Sequence, residues 1–303
     1  MMLVENVERY VALHRSFGYN FRTPTGLLRN FVAFAEAHGD NVVRADRAIA
    51  WASEAPSPAQ RRNRLLTMRR FALAMHAEDA RHELPTGDVF GKARHVRHRA
   101  HIWTAEEIAL LMDTTALLGQ PGAIRPLIYQ TLFGLLAATG LRISKALALR
   151  VRNIGEDGLV ILATKFRKNR LVPIHDSTRR ALDDWLLMHS GHPDASVFRS
   201  NAGTGPAYST VVAIFLQLTR AVGLRGAPGT PGPRIHDLRH SFAARSLQQC
   251  GSDAAAVARH ITGLRTYLGH AHVSDTFWYL QATPTLMAGI AEASEALHQG
   301  DAS

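Results

Sequence analysis

A break in helical periodicity divides this chain of 303 residues into a short and a long region. Residues 81–102 contain a proline and two glycines and end in a run of arginines and histidines. Proline and glycine interrupt regular structure, and a run of like charges is typical of a solvated segment. We therefore predict an interdomain linker over 81–102, between a domain at 1–80 and a larger domain at 103–303.

The first region predicts a small helical domain. Apolar side chains recur at helical spacing over residues 24–38, and Ser57-Pro58-Ala-Gln60 has the N-cap, N1 and N3 residues of a helix start. The helix that follows carries five arginines and no acidic residue within ten positions. Contact with a DNA backbone and a merely solvated face explain such a helix equally well. The five arginines are Arg61, Arg62, Arg64, Arg69 and Arg70.

The predicted linker carries histidines as well as arginines. His95, His98 and His101 recur every three residues, as ligands of one metal ion could. No acidic residue or cysteine completes a ligand set, and the neighbouring guanidinium charges repel a cation, so we expect no metal site. The phosphates of a duplex are the better partner for the linker arginines, which are Arg94, Arg97 and Arg99.

The balance of charge favours a polyanionic partner. The formal net charge is +10 and the pI about 10.4, which is typical of nucleic-acid-binding proteins, although a ribosome-like or simply basic protein has the same balance. Cys250 is the only cysteine, so an intramolecular disulfide and a cysteine-based zinc site are both excluded. No apolar run reaches about 18 residues, and the N-terminus has no signal pattern, so we expect a cytoplasmic protein.

The long region predicts helices around a small sheet. Thr104-Ala-Glu-Glu107 has the pattern of a capping box and opens the domain. Residues 124–138 are apolar enough for a buried helix, and the short apolar runs 159–162 and 170–174 flank a basic turn, as in a β-hairpin. Further helices are expected near 142–149, 176–188, 208–222, 236–249, 253–263 and 284–298, with a short one around position 279.

Six polar residues of the long region have the chemistry to cleave a phosphodiester without a metal ion. The reaction needs an activated nucleophile, neutralised charge at phosphorus and a proton for the leaving oxygen. Guanidinium groups can fork onto phosphate oxygens, an imidazole can accept a proton, an ammonium can donate one, and a phenol can attack. Taken singly, each residue has a commoner structural role. The six are Arg142, Lys165, His236, Arg239, His270 and Tyr279.

The order and spacing of these residues are specific, and with them the sequence resembles the tyrosine recombinases of the phage-integrase family. The resemblance covers about 103–290 and is weaker in the first domain. It implies that the tyrosine is the nucleophile and that the other five residues surround the phosphate. The matching stretches are Ala-Thr-Gly-Leu-Arg142-Ile-Ser, Lys165 before Arg-Leu-Val-Pro-Ile, His236-Asp-Leu-Arg239-His-Ser-Phe-Ala, Leu-Gly-His270 and Tyr279 nine residues later.

The resemblance also implies a fold and partners. The fold would be mainly α with a small β-sheet, in which an N-terminal helical, SAM-like core-binding domain precedes an α+β catalytic domain with a C-terminal tail helix. The two domains would clamp duplex DNA at inverted-repeat core sites, with Arg167 and Lys168 among the backbone contacts. Four protomers, or a mixed set of recombinases, would exchange strands through a Holliday junction. No cofactor, metal or membrane is implied, and the protein would act in the cytoplasm, at the nucleoid.

Two features depart from the family pattern. Lys145 stands where an acid usually orients the first arginine. An ammonium would repel Arg142, so we expect Lys145→Glu to leave cleavage unchanged or to raise it. The segment from Arg239 to His270 is several residues longer than usual, and in this the sequence most resembles the integrases that transposons and insertion elements carry.

The leading functional prediction is therefore a recombinase that cleaves and rejoins DNA to move or resolve a mobile element. Two alternatives stay open at the level of the sequence. One is an accessory DNA-binding recombinase whose catalysis is weakened by Lys145. The other is a relaxing enzyme like the type IB topoisomerases, which use the same chemistry.

Overall fold

The computed structural model describes residues 3–91, 100–120, 122–162, 169–189, 191–249 and 254–269. The chain divides into two compact units, Met1–Arg97 and His98–Ser303. The described residues are mainly helical and contain a small antiparallel sheet, as predicted. Among them, no helix combines the length and the apolar character that crossing a membrane requires.

The described part of the first unit is a bundle of helices around an aromatic core. Phe31, Trp51 and Phe71 are fully buried, and the Trp51 indole Nε1 donates to Asn30 Oδ1 at 2.8 Å. The predicted N-cap is present, because the hydroxyl of Ser57 accepts a hydrogen bond from the Gln60 N–H. The helices are α1 (Leu3–Ser16), α2 (Arg22–Glu36), α3 (Ala45–Ser53) and α4 (Pro58–Glu78).

The first unit continues beyond residue 80, where the sequence places the start of the linker. His82 is buried, and its Nδ1 accepts a 3.0 Å hydrogen bond from the Val43 N–H. Next to it, the Glu83 N–H donates to the Val43 carbonyl at 2.7 Å, and the Glu83 carboxylate accepts from the Ala45 N–H at 2.8 Å. These contacts fasten the chain after α4 to the start of α3.

Helix α6 (Ile124–Thr139) lies at the centre of the second unit and packs against α5 (Ala105–Asp113), α8 (Asp176–Met188) and α10 (Asp237–Gln248). Its Leu132 and Phe133 are buried, and Phe133 and Trp103 both meet the ring of Phe215 edge-on. The capping box predicted at the start of α5 is complete, with Thr104 and Glu107 each bonded to the other's backbone N–H. The helices are α5 (Ala105–Asp113), α6 (Ile124–Thr139), α7 (Ile143–Leu147), α8 (Asp176–Met188), α9 (Tyr208–Ala221), α10 (Asp237–Gln248) and α11 (Ala254–Leu268).

Three short strands form the sheet, in the order β1 (Ile154–Gly155), β2 (Gly158–Ile161) and β3 (Arg170–Val172). Strands β2 and β3 are antiparallel, with Leu159 opposite Val172 and Ile161 opposite Arg170. This pairing confirms the predicted hairpin, while the two-residue β1 was not predicted because so short a strand has no readable alternation. Its turn, with Lys165, Arg167 and Lys168, lies outside the described residues.

The last described helix is longer than predicted. Helix α11 continues to Leu268, past the predicted end at 263, because Leu264 and Leu268 bury their side chains against α10. Helix α7, in contrast, ends at Leu147 rather than 149. The predicted helices around 279 and 284–298 lie outside the described residues.

Candidate active site

The site is built on a sharp turn at the end of α6. Gly140 caps this helix with φ +59°, in the left-handed region that favours glycine, and its N–H donates to the Leu136 carbonyl. A Cβ at this position would lie 2.6 Å from Cδ1 of Phe242, so the turn also needs a residue without a side chain. The chain then starts α7, with Arg142 as its N-cap residue and exposed to solvent.

Arg239 lies behind this turn and is buried, with 2% of its surface exposed. Its Nη1 donates to the Gly140 carbonyl at 2.7 Å, and its Nη2 donates to the Leu268 carbonyl at 2.9 Å. A buried guanidinium is stable only when its donors find partners, and these two bonds satisfy two of its N–H groups. Arg239 therefore joins the end of α6 to the end of α11.

Arg142 reaches the same end of α11 from the solvent side. Its Nη1 donates to the Gly269 carbonyl at 3.4 Å, next to the Leu268 carbonyl that Arg239 binds. Gly269 has φ +66°, again in the left-handed region. Two of the predicted site residues thus converge on the turn formed by Leu268 and Gly269, hereafter the 268–269 turn. The next residue in the chain is His270, which lies outside the described residues.

His236 is the N-cap residue of α10, and its ring meets the ring of His240 edge-on at 4.9 Å. Surrounding protein atoms desolvate the imidazole and, with the charges of His240, Arg239 and Arg142, lower its pKa to about 4, although Asp237 opposes them. The residue is exposed on one side, so water weakens the desolvation, but the cationic neighbours act in the same direction. The imidazole is therefore neutral near pH 7 and can accept a proton.

Polar side chains spaced by four residues fix α10 in place. Ser241 accepts a 2.8 Å hydrogen bond from the Trp103 N–H and donates to the Asp237 carbonyl, also at 2.8 Å. Arg245 donates from Nη1 to the Trp103 carbonyl at 3.2 Å and from Nη2 to the Ala137 carbonyl at 3.3 Å. Ser241 and Arg245 were not predicted, and the one signal for them in the sequence is the recurrence of polar side chains at positions 237, 241 and 245 along one side of the helix.

Two further cationic side chains, those of Lys145 and Arg170, lie near Arg142. Lys145 Nζ donates to the Leu162 carbonyl at the end of β2, at 3.2 Å. The Arg170 guanidinium lies directly against Gly269, where an added Cβ would overlap its Nη1. Burial lowers the pKa of both Lys145 and Arg170, and the charge of Arg142 lowers both further. The position of Arg170 beside the 268–269 turn was not predicted from the sequence.

The predicted DNA-binding arginines of α4 divide into two groups. Arg61 donates from Nε to the Ala55 carbonyl at 2.8 Å, and Arg64 donates to the Trp51 carbonyl at 3.1 Å while its guanidinium carbon lies 5.0 Å from the centroid of the Trp51 ring. These two residues hold α4 against the end of α3. Arg69 and Arg70 are exposed, and Arg62 is half-buried.

Several predicted residues lie outside the described part of the chain. They are Arg94, Arg97, Arg99, Lys165, Arg167, Lys168, His270 and Tyr279. The histidine motif of the linker is described only at its last member. There, His101 Nε2 lies 2.8 Å from the Glu107 carboxylate.

Comparison with known proteins identifies the class to which this fold and site belong. The model of the phage integrase family matches residues 102–285. A protein of Sinorhizobium fredii named as the integrase/recombinase y4rB is 36% identical over 296 residues, which cover 93% of each chain. The tyrosine recombinase XerD of Brucella abortus is 27% identical over 297 residues, which cover 92% of each chain.

Solved structures agree on the fold. A lambda integrase dimer bound to a COC′ core site matches with a TM-score of 0.62 at 17% identity, over 92% of this chain and 77% of that one. The Tn1549 transposon integrase in complex with transposon right-end DNA matches with a TM-score of 0.60 at 14% identity, over 92% and 94%. The chain belongs to the phage integrase family. It is a tyrosine recombinase, an enzyme that cleaves and rejoins DNA at specific sites.

Proposed function

We propose that this recombinase transfers a DNA phosphoryl group from a 5′ oxygen to Tyr279 and back, at a phosphate held beside the 268–269 turn. The observation that carries the proposal is the convergence of exposed Arg142 and buried Arg239 on that turn. His270 follows the turn directly in the sequence. A phosphate placed there would meet fixed positive charge in a partly desolvated setting, where electrostatic stabilisation is strongest.

The two arginines have different tasks in this proposal. Arg142 is exposed, so we place its guanidinium on the non-bridging oxygens of the scissile phosphate. Arg239 is buried and bonds to two backbone carbonyls. It therefore contributes positive charge from behind and fixes the geometry of the turns, whereas the sequence alone suggested that both arginines fork onto the phosphate.

The remaining residues handle protons and covalent bonds. The Tyr279 oxygen attacks phosphorus and forms a 3′-phosphotyrosyl bond while its proton passes to the neutral imidazole of His236. The bond from phosphorus to the 5′ oxygen breaks, and that oxygen takes a proton, for which we propose Lys165 as the donor. His270 adds a hydrogen bond to the phosphate. Religation reverses these steps and needs no ATP, because the phosphotyrosyl link keeps the energy of the broken bond.

We extend the proposal to partners on the strength of what similar structures contain. A lambda integrase tetramer bound to a Holliday junction matches this chain with a TM-score of 0.59 at 19% identity. We propose that four copies, or a mixed set of recombinases, likewise assemble on inverted-repeat core sites in the cytoplasm, at the nucleoid. The complex of the Tn1549 integrase with a transposon end supports a mobile element as the substrate.

Backbone contacts complete the proposed interface. Arg69 and Arg70 are exposed and donate no side-chain hydrogen bond within the described part of the chain, in contrast to Arg61 and Arg64, so they can reach phosphates without breaking such a bond there. We also retain the basic residues outside the described part as proposed contacts. These are Arg94, Arg97, Arg99, Arg167 and Lys168.

A suicide substrate tests the proposed chemistry. The probe is a duplex half-site whose binding sequence this protein has itself selected from a random library, nicked beside the mapped cleavage position so that the cut strand end diffuses away. Wild-type protein should form a covalent adduct that survives denaturing electrophoresis, and Tyr279→Phe should form none. Specific binding without an adduct would instead identify an accessory recombinase.

A further inference from the structure

We propose that Lys145 and Arg170 are positioning residues, which fix the two arms of the β2–β3 hairpin beside the phosphate site. This inference rests on the proposed function and deepens it. Lys145 then supports catalysis, whereas the sequence alone marked it as a departure from the family pattern that weakens catalysis. Lys145 reaches one arm of the hairpin from α7. Arg170 belongs to the other arm, and its side chain extends from there to the 268–269 turn.

The first arm is held by Lys145. This residue lies one helical turn after Arg142, and its backbone N–H donates to the Arg142 carbonyl at 2.7 Å. Its Nζ donates to the Leu162 carbonyl, immediately after the last residue of β2. The end of β2 is thus tied to the same turn that presents the Arg142 guanidinium. A carboxylate at position 145 could not make this contact, because it has no hydrogen to donate to a carbonyl when ionised.

The second arm is held by Arg170, the first residue of β3. Its guanidinium fills the space beside Gly269, whose carbonyl accepts the hydrogen bond from Arg142. The hydroxyl of Tyr267 reinforces the contact by donating to the Pro173 carbonyl at 3.1 Å, just after β3. The start of β3 is therefore packed against the 268–269 turn, and both arms of the hairpin meet the elements that hold the phosphate.

The charges of the cluster link this arrangement to DNA binding. The charge of Arg142 adds to burial in lowering the pKa of both Lys145 and Arg170, and Arg170 also lowers that of Lys145. Repulsion among these cations therefore opposes the arrangement in the free protein. A bound phosphate removes this cost by supplying negative charge. The hairpin arms are consequently fixed most firmly when the scissile phosphate is in place.

The consequence for catalysis concerns the leaving oxygen rather than phosphate binding. Lys165, the proposed proton donor, lies in sequence between the two anchored arms, which end at Leu162 and resume at Arg170. Loss of an anchor leaves Arg142 and Arg239 in place but widens the range of positions open to the donor. General-acid catalysis demands hydrogen-bond reach to the leaving atom and typically accounts for a factor of about 100 to 10,000 in rate.

Two matched substrates and a set of substitutions of Lys145 test the proposal. Each substrate is the selected, nicked half-site, with either the natural 5′ oxygen or a bridging 5′ sulfur at the scissile position, since a thiolate leaves without a proton. We expect Lys145→Met to slow cleavage of the oxygen substrate by at least about tenfold, a fraction of the general-acid factor. The sulfur substrate should be cut at close to the wild-type rate. Lys145→Glu should show the same loss, contrary to the expectation from the sequence alone.

Three further variants distinguish an effect of positioning on the cleavage rate from effects of lost charge and of lost folding. Lys145→Gln keeps a donor without the charge and should recover part of the lost rate. Arg170→Leu releases the second arm, so it should also cleave the oxygen substrate slowly and the sulfur substrate at close to the wild-type rate. Arg180→Met, at an exposed position of α8, should cleave both substrates at the wild-type rate. Unchanged melting temperatures would confirm that the position 145 variants are folded.

The results that overturn the inference are distinct from those that overturn the proposed function. The positioning role would be overturned if Lys145→Met slowed cleavage of both substrates equally or of neither. It would also be overturned if Lys145→Glu cleaved the oxygen substrate as fast as the wild-type protein. If the wild-type protein forms no adduct with either substrate, the proposed function itself is overturned, and the inference with it.

Discussion

The buried guanidinium of Arg239 donates a 2.7 Å hydrogen bond to the carbonyl oxygen of Gly140, 99 positions earlier in the chain. Gly140 ends the helix that precedes Arg142, and the other Nη atom of Arg239 binds the carbonyl that precedes Gly269. One side chain thus sets the distance between the two turns that we place around the phosphate. Its contribution is structural and electrostatic at once.

Substitution of Arg239 should therefore affect both stability and cleavage. Hydrogen bonds from a charged donor contribute about 1.5–3 kcal/mol each, so the loss of two of them in Arg239→Ala should lower the free energy of unfolding by roughly 3–6 kcal/mol. Cleavage of the suicide substrate should fall below detection. Arg239→Lys, which cannot reach both carbonyls, should keep the charge and still cleave at least about 100-fold more slowly, as expected when a preorganised donor is lost. A Lys variant with wild-type activity would contradict the bridging role.

Gly140→Ala should destabilise the protein for two separable reasons. The left-handed backbone costs a non-glycine residue about 1–3 kcal/mol, and the new Cβ would also approach the Phe242 ring to 2.6 Å. Gly223→Ala is the matched control, since Gly223 has φ +74° and open space around its α carbon. We expect the urea midpoint of Gly140→Ala to fall at least twice as far as that of Gly223→Ala. Equal shifts would mean that the Phe242 contact has no energetic weight.

The sequence could predict what local rules determine. Glycine after an apolar helix, the Ser57 cap and the Thr104–Glu107 capping box are signals carried within a few residues, and all of them place helix ends correctly. Residue types and spacing also marked Arg142, His236 and Arg239 as candidate site residues, whose catalytic roles stay a prediction. The structure brings the two arginines to one turn and His236 within range of their charges.

The contacts that depend on tertiary packing could not be predicted. A charged residue in a helix is expected at the surface, yet Arg239 is buried because distant carbonyls satisfy it. The packing of Arg170 on Gly269 depends on where β3 meets the end of α11, which no periodicity encodes. The prediction for Lys145 rested only on its charge beside Arg142, whereas the carbonyl that it binds belongs to Leu162, directly after β2.

The imidazole of His236 should titrate well below its ordinary range. Burial and the nearby cations lower its folded pKa to about 4, under the ordinary histidine value of about 6.5, so the unfolded chain binds a proton at this ring more readily than the folded protein does. Stability from this group is therefore complete above about pH 6.5 and is lost as the pH falls towards 4. An NMR titration of the ring should place its midpoint below 6.5, and Arg142→Ala should raise it, because a positive neighbour is removed. A wild-type midpoint at or above 6.5 would refute the neutral, proton-accepting assignment.

The arginines of α4 should separate into DNA-binding and structural pairs. Arg69→Ala/Arg70→Ala removes two exposed charges, so we expect weaker binding to the selected half-site with an unchanged melting temperature. Each lost phosphate contact should reduce the slope of log affinity against log salt by about 0.9, hence by up to about 1.8 for the pair. Arg61→Ala/Arg64→Ala is the matched control, because it breaks bonds to the carbonyls of Ala55 and Trp51. This control should lower the melting temperature by several degrees and leave the salt slope nearly unchanged. A reduced slope in Arg61→Ala/Arg64→Ala with a lower melting temperature in Arg69→Ala/Arg70→Ala would show that Arg61 and Arg64 bind DNA and that Arg69 and Arg70 are structural.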